Sequence, residues 1–301
     1  MTLQQLRQVL TIAESNSMNE AAKKLFVSQP NLSATVREVE EELGITVFMR
    51  NNRGITVTAE GEEFLGYAKQ VVEQYHLLEN RYLNVESKKK FSVSMQHYSF
   101  AVKAFVQLAK EVGMDEYEFA VHETKTKEVI DNVKNLKSEI GVLYLSDFNE
   151  KVLRKLFKEC DIEFKELFTC NTYVYLWKKH PLAGQKEITL DDLQEYPCLT
   201  FEQGVNNSFY YAEEMMSTYE YKRVIKADDR ATMLNLMVGL NGFTLCSGII
   251  SEDLNGDDYA AIPLKESEKM HIGYIKHKGT KLGKLGEIYI DALKNYENKV
   301  L

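Results

Sequence analysis

Leu3, Leu6, Val9, Leu10 and Ala13 recur at helical spacing, and the polar cluster Ser15-Asn16-Ser17 ends the pattern. A second helix is expected from Asn19 through Ala21, Ala22 and Leu25 to Val27, with small alanines where another helix comes close. Ser28 then has the position and chemistry of an N-cap, and Pro30 falls in the first turn, where its missing N–H has no intrahelical partner to lose. In the helix that follows, Leu32, Val36, Val39 and Leu43 form one apolar stripe. The opposite face carries Pro30, Ala34, Arg37 and Glu41, flanked by Asn31 and Ser33. Its first two turns, opening Ser28-Gln29-Pro30-Asn31, are small and polar and hold almost no charge, while the glutamates fall in or after the second half. Such a tip suits insertion into a DNA groove with the acidic tail held away.

The stretch "VFMRNNRGITVT" reads as strand, Asn/Gly turn, strand, with Arg50 and Arg53 at the tip as candidate contacts to phosphates or the minor groove. Beyond Thr58 a long helical pattern places Phe64, Ala68, Val71, Tyr75, Leu78, Tyr82 and Val85 at spacings of 4, 3, 4, 3, 4 and 3. A seam of this kind is expected to pair with the same helix of a second copy.

After Lys88-Lys89-Lys90 short apolar strands alternate with helical stretches. Strands are expected at 91–95, 117–122, 140–145, 172–177, 197–201, 221–226, 243–247 and 270–276, with helices such as 128–137, 208–218 and 230–240 between them. The alternation implies an α/β sheet region, whose ligands bind beyond the carboxyl ends of strands.

The 301 residues carry a net charge of −8, 44% apolar and 27% charged residues, as expected of a soluble protein of about two or three domains. Residues 1–58 hold six basic side chains and six acidic ones, a balance of zero, so the charge of the whole chain says little about the helix pair. Cys160, Cys170, Cys198 and Cys246 lie 10, 28 and 48 residues apart, without metal-ligand spacing, and are expected as reduced core thiols. No zinc-protease, serine-hydrolase, dinucleotide or phosphate-loop motif occurs, so neither a catalytic residue nor a cofactor is expected. There is no apolar run long enough to span a membrane, and "LQQLRQVLTIAES" lacks the apolar core of a signal peptide; the chain is expected in the cytoplasm.

Over essentially its full length the chain resembles a LysR-type transcriptional regulator. The resemblance rests on "AAKKLFVSQPNLSATVREVEEELGITVFMRNNRGITVTAEG", "KKHPLAGQKEITLDDLQEYPCLTF" and "MLNLMVGLNGFTLCSGII". It implies an all-α winged helix-turn-helix over 1–58 and a long linker and dimerisation helix with hinge over 59–90. An α/β effector domain over 91–301 follows, two-lobed like a periplasmic binding protein, with lobe I at about 91–163 and 268–301 and lobe II at about 164–267. It further implies double-stranded operator DNA, a small-molecule effector between the lobes, self-association as homodimer and homotetramer, and RNA polymerase as partners. One departure stands out: most members place Arg where Ala34 stands and Ala where Asn31 stands. A thymine-methyl contact through Ala34 and an adenine contact through Asn31 are then expected instead of a guanine-reading guanidinium.

For the effector, the strand at 91–95 runs into Gln96, His97, Tyr98, Ser99 and Phe100 at a helix start, a ready site for a carboxylate; capping is the other reading of Ser99. Ser146-Asp147, Phe201-Glu202 and Ser247 follow other strands, so an amino-acid-like zwitterion is expected, its amine between Asp147 and Glu202. The effector stretch is also similar to regulators of sulfur amino-acid metabolism. Two alternatives stand beside this reading. One is a thiol-switched regulator using Cys246 or Cys160 with Cys170, and the other is a cleft enzyme, for which no nucleophile and base are recognisable.

Overall fold

The computed structural model describes residues 1–15, 17–51, 54–82, 88–113, 116–206 and 208–296. The chain divides into two units, Met1–Ser87 and Lys88–Leu301.

In the first unit, α1 (Leu3–Ala13) starts at a capping box, Thr2 accepting from the Gln5 N–H while the Gln5 side chain accepts from the Thr2 N–H. The second helix, α2 (Met18–Lys24), is capped by Ser17, and α3 (Gln29–Leu43) by Ser28, whose hydroxyl accepts from the Asn31 N–H. Gly44 closes α3 at φ +69°, a conformation that suits glycine. Leu32, Val36 and Val39 are buried against Val9, Ile12 and Ala21, so the apolar stripe forms the core of the unit, while Leu43 is left exposed at the helix end.

The wing is the antiparallel hairpin of β1 (Phe48–Asn51) and β2 (Gly54–Val57). It leads into α4 (Ala59–Tyr82), whose first turn is held by the Thr58 hydroxyl accepting from the Gly61 N–H at 2.9 Å. Gly61 is required by space, since a Cβ there would lie 2.4 Å from the Val47 carbonyl oxygen.

The seven-residue seam on α4 is split by the fold. Ala68 is 2% exposed and packs with Val72 against Leu6 of α1, joined by Phe64, so the first part of the seam is consumed within the chain. Val71, Tyr75 and Leu78 remain exposed, with Tyr67 joining them one turn earlier. Val85 lies outside the described residues, and for Tyr82 the backbone alone is described.

The second unit opens with β3 (Lys89–Met95), α5 (Ser99–Val112), β4 (Tyr117–Glu123), α6 (Thr126–Lys134), β5 (Ile140–Leu145), α7 (Glu150–Glu159) and β6 (Ile162–Cys170). It continues through β7 (Tyr173–Trp177), β8 (Cys198–Phe201), β9 (Val224–Ala227), α8 (Arg230–Leu240), β10 (Thr244–Cys246), α9 (Glu252–Asn255) and β11 (Tyr259–Pro263). The chain returns in β12 (Met270–His277) and α10 (Lys284–Lys294). One sheet has the order β4-β3-β5-β12-β6, with β3 parallel to β4 and β5, and β12 antiparallel to β5 and β6. A second has the order β10-β7-β11, and β8 pairs with β9 in parallel. Every residue of the apolar run in β5 is buried, as a central strand covered by helices requires.

The five-stranded sheet keeps β6 through Cys170, so the chain leaves it at Asn171-Thr172, a few residues later than the expected boundary near 164. That strand escaped the sequence pattern because its alternation is interrupted at Lys165-Glu166, opposite a register shift between Ile272 and Gly273. The helix expected at 208–218 does not form. One 3-10 turn, Phe209–Tyr211, is followed by irregular chain that turns Glu213, Glu214 and Met215 inward. Met215 enters the core beneath the first sheet, and the Tyr144 hydroxyl donates to the Ala212 carbonyl at 3.0 Å. These long-range contacts outweigh helix propensity.

Candidate functional site

The first unit presents the tip of α3. Ser28, Pro30, Asn31, Ala34 and Arg37 are exposed, with Gln29 and Ser33 half-buried between them and joined by a 2.8 Å bond from Gln29 Nε2 to Ser33 Oγ. Two of the acids behind the tip are engaged elsewhere: Glu38 accepts from Gln5 Nε2 at 3.0 Å, and Glu40 accepts the Val47 and Phe48 N–H groups at 2.7 and 3.0 Å. This leaves an uncharged, small-residue surface ahead of Arg37. In the wing, Arg50 is described by its backbone, paired with Ile55, and Arg53 lies outside the described residues. The turn between α2 and α3 holds Phe26 at φ +55° with its side chain 96% exposed, a feature the sequence pattern did not signal.

The second unit encloses a cavity of about 90 Å³ at the start of α5. Of the residues expected around an effector, His97, Tyr98, Ser99, Phe100, Phe201 and Ser247 line it, and Gln96, Ser146, Asp147 and Glu202 do not. Gln96 lies beneath, where its amide donates to Thr126 Oγ1 at 2.6 Å and its carbonyl accepts from the Tyr98 hydroxyl at 2.9 Å. Ser146 is buried with its N–H given to Asn149 Oδ1, Asp147 is exposed, and Glu202 accepts from the Gly204 N–H at 3.2 Å.

The acids that do line the cavity are Glu213 and Glu214, each 5% exposed. Sequence reasoning missed them because the span was read as a helix; the adjacent pair of carboxylates is the signal that stood there. Glu213 is fully used. Its Oε2 accepts from the His97 N–H at 2.9 Å and faces His97 Nδ1 at 2.8 Å, and its Oε1 accepts from Gln203 Nε2 at 2.9 Å. The His97 ring is also stacked on Phe201, 3.7 Å between centroids. Glu214 accepts from the Phe201 N–H at 2.8 Å. Burial, then the neighbouring Glu213 charge, pushes its pKa from the ordinary 4.5 to about 8, so it carries a proton at neutral pH.

Tyr98 rather than Ser99 occupies the N-cap of α5, and its carbonyl accepts from the Ala101 and Val102 N–H groups. The N–H groups of Ser99 and Phe100 have no acceptor among the described residues. Thr244, 6% exposed, also lines the cavity, and its buried hydroxyl has no hydrogen-bond partner among the described residues. Arg230 at the start of α8 also lines it, paired with Glu123. The cavity lining thus combines unused donors with a neutral carboxyl group, groups able to receive an anionic and a cationic group respectively.

Burial pushes all four thiols up, Cys170 and Cys246 to about 12. No group of residues able to hold a metal ion occurs among the described residues, and no helix described is long and apolar enough to cross a membrane.

Residues 3–62 match the family described as bacterial regulatory helix-turn-helix protein, lysR family, and residues 114–297 match the LysR substrate binding domain. The HTH-type transcriptional regulator CysL of Bacillus subtilis is 26% identical over 98% of this chain and 98% of its own. Among solved structures, a full-length OxyR variant from Pseudomonas aeruginosa superposes with a TM-score of 0.69 at 19% identity, covering 98% of this chain and 95% of that one. CbnR complexed with its target DNA superposes at 0.60 and 17% identity, covering 98% and 99%. At these identities the two likenesses speak to the fold. With both family segments matched in order along the chain, this protein belongs to the LysR family: it is a DNA-binding transcriptional regulator.

Proposed function

We propose that this regulator is controlled by a small amino-acid-like zwitterion, sulfur amino-acid derivatives included, held in the cavity at the start of α5. The observation that carries this reading is the presence of unused donors and a protonated buried acid in the lining of one cavity. The effector carboxylate accepts from the Ser99 and Phe100 N–H groups and the Thr244 hydroxyl, and its ammonium group meets Glu214, which loses its proton to the solvent as the cation arrives. Asp147 and Glu202 take no part. Glu213 orients His97, whose ring and Phe201 form the floor.

On operator DNA in the cytoplasm, the α3 tip enters the major groove, Ala34 meeting a thymine methyl and Asn31 an adenine edge, with Ser28, Gln29, Pro30, Ser33 and Arg37 around them. Arg50 and Arg53 grip phosphates. Two copies join through Tyr67, Val71, Tyr75 and Leu78 of α4, and such dimers pair into tetramers. Control by thiol oxidation draws no support from cysteines whose thiols are pushed away from the reactive thiolate form.

The test is a thermal-shift screen of amino acids and their acylated and thiolated derivatives, followed by calorimetric titration of the binders on wild type, Ser99→Val and Thr244→Val. Thr244→Val keeps the side-chain shape and removes a buried unpartnered hydroxyl, so the free protein holds or gains stability while affinity falls about tenfold. Unchanged affinity in both variants would put the effector elsewhere.

A further inference from the structure

A second, larger cavity of about 730 Å³ shares Phe201, Glu214 and Leu245 with the effector cavity. Its size is that of an ordinary small-molecule site. Much of its lining is aromatic or aliphatic, including Phe209, Met215, Tyr219, Tyr221 and Val224. Its polar groups are of a particular kind. The Tyr221 hydroxyl is buried without a hydrogen-bond partner, and burial pushes its ionisation far up, so it remains a phenol O–H. Glu214, on the shared wall, is a neutral carboxyl group at physiological pH, and burial keeps the Cys198 thiol protonated. Lys226, on β9, is exposed in the water.

We propose that this cavity is a second small-molecule site, taking a neutral ring-bearing ligand whose single oxygen head bonds the Tyr221 hydroxyl while its rings lie among Phe209, Tyr219 and Met215. A charged head is disfavoured. The lining's charged side chains, Lys226 and Glu220, are both exposed to water, whereas the buried groups beside the Tyr221 hydroxyl, Glu214 and the Cys198 thiol, are neutral. The apolar walls reward rings, and the unpartnered hydroxyl rewards one hydrogen-bonding atom. The proposal is independent of what fills the effector cavity, though the common Glu214 wall couples the two sites, each occupant altering the affinity for the other by the same factor.

The experiment uses full-length protein and 2-naphthol, neutral at pH 7 and followed by its own fluorescence. Saturable binding is expected. Tyr221→Phe removes only the unpartnered hydroxyl and should weaken binding about three- to tenfold. Val224→Trp, at an exposed strand position on the cavity lining, should abolish it while the melting temperature stays near that of wild type. Thr244→Val, in the other cavity, should leave it within about twofold, since it lies outside the lining. No saturable binding, binding untouched by both Tyr221→Phe and Val224→Trp, or loss with Thr244→Val would each overturn the proposal.

Discussion

One carboxylate oxygen of Glu40 accepts both the Val47 and the Phe48 N–H, tying the last turn of α3 to the first strand of the wing. An acid on α3 is therefore spent on geometry, fixing the angle at which the wing leaves it. Glu40→Ala leaves two backbone donors unmatched and should cost about 1.5–3 kcal/mol, whereas Glu40→Gln retains an acceptor and should cost less. Chemical denaturation of the isolated variants measures the order; equal losses would show that the hydrogen bonds do not carry the effect.

Phe26 holds a left-handed backbone with its ring in water. Asn adopts that conformation with less strain, so Phe26→Asn should stabilise by about 1 kcal/mol. A rise of a few degrees in Tm is expected. A fall would mean that the ring is covered by something other than solvent.

Because Ala34 is exposed while Leu32, Val36 and Val39 are buried, Ala34→Arg should change the preferred bases without changing stability. Selection of binding sites from random DNA reads this directly. A consensus identical to that of wild type would remove Ala34 from the base-facing surface.

The split seam of α4 separates two kinds of variant. Val71→Asp with Leu78→Asp places charges on an exposed apolar face, so a folded monomer is expected by sedimentation. Ala68→Asp puts a charge against Leu6 and Val72 and should unfold the first unit instead. A double variant that stayed dimeric would locate the interface elsewhere.

Glu214 gives a pH signature. The unfolded carboxyl loses its proton near 4.5, while the folded one keeps it to about 8, so between these values the unfolded state binds fewer protons. Stability should therefore fall as pH rises through that window, and Glu214→Gln, which keeps the acceptor for the Phe201 N–H, should flatten the fall. Tm against pH for both proteins decides it; parallel curves would assign the titration to another group.

The sequence by itself determined the elements whose causes are local. The Ser28 cap, the Leu32, Val36 and Val39 stripe and the wholly apolar β5 could be read because capping and burial periodicity act within a few residues. Tertiary structure decided which surface each pattern meets. A seven-residue seam cannot announce that Ala68 serves α1 and Val71 serves the outside, since that depends on how α1 lies along α4. Nor does the span 208–218 announce an irregular strap, because its backbone carbonyls are bonded by Tyr144 and Thr126, far away in the chain. The same contacts carry Glu213 and Glu214 into the cavity and leave Asp147 in water: a buried acid needs distant donors and neighbours, and only the folded chain supplies them.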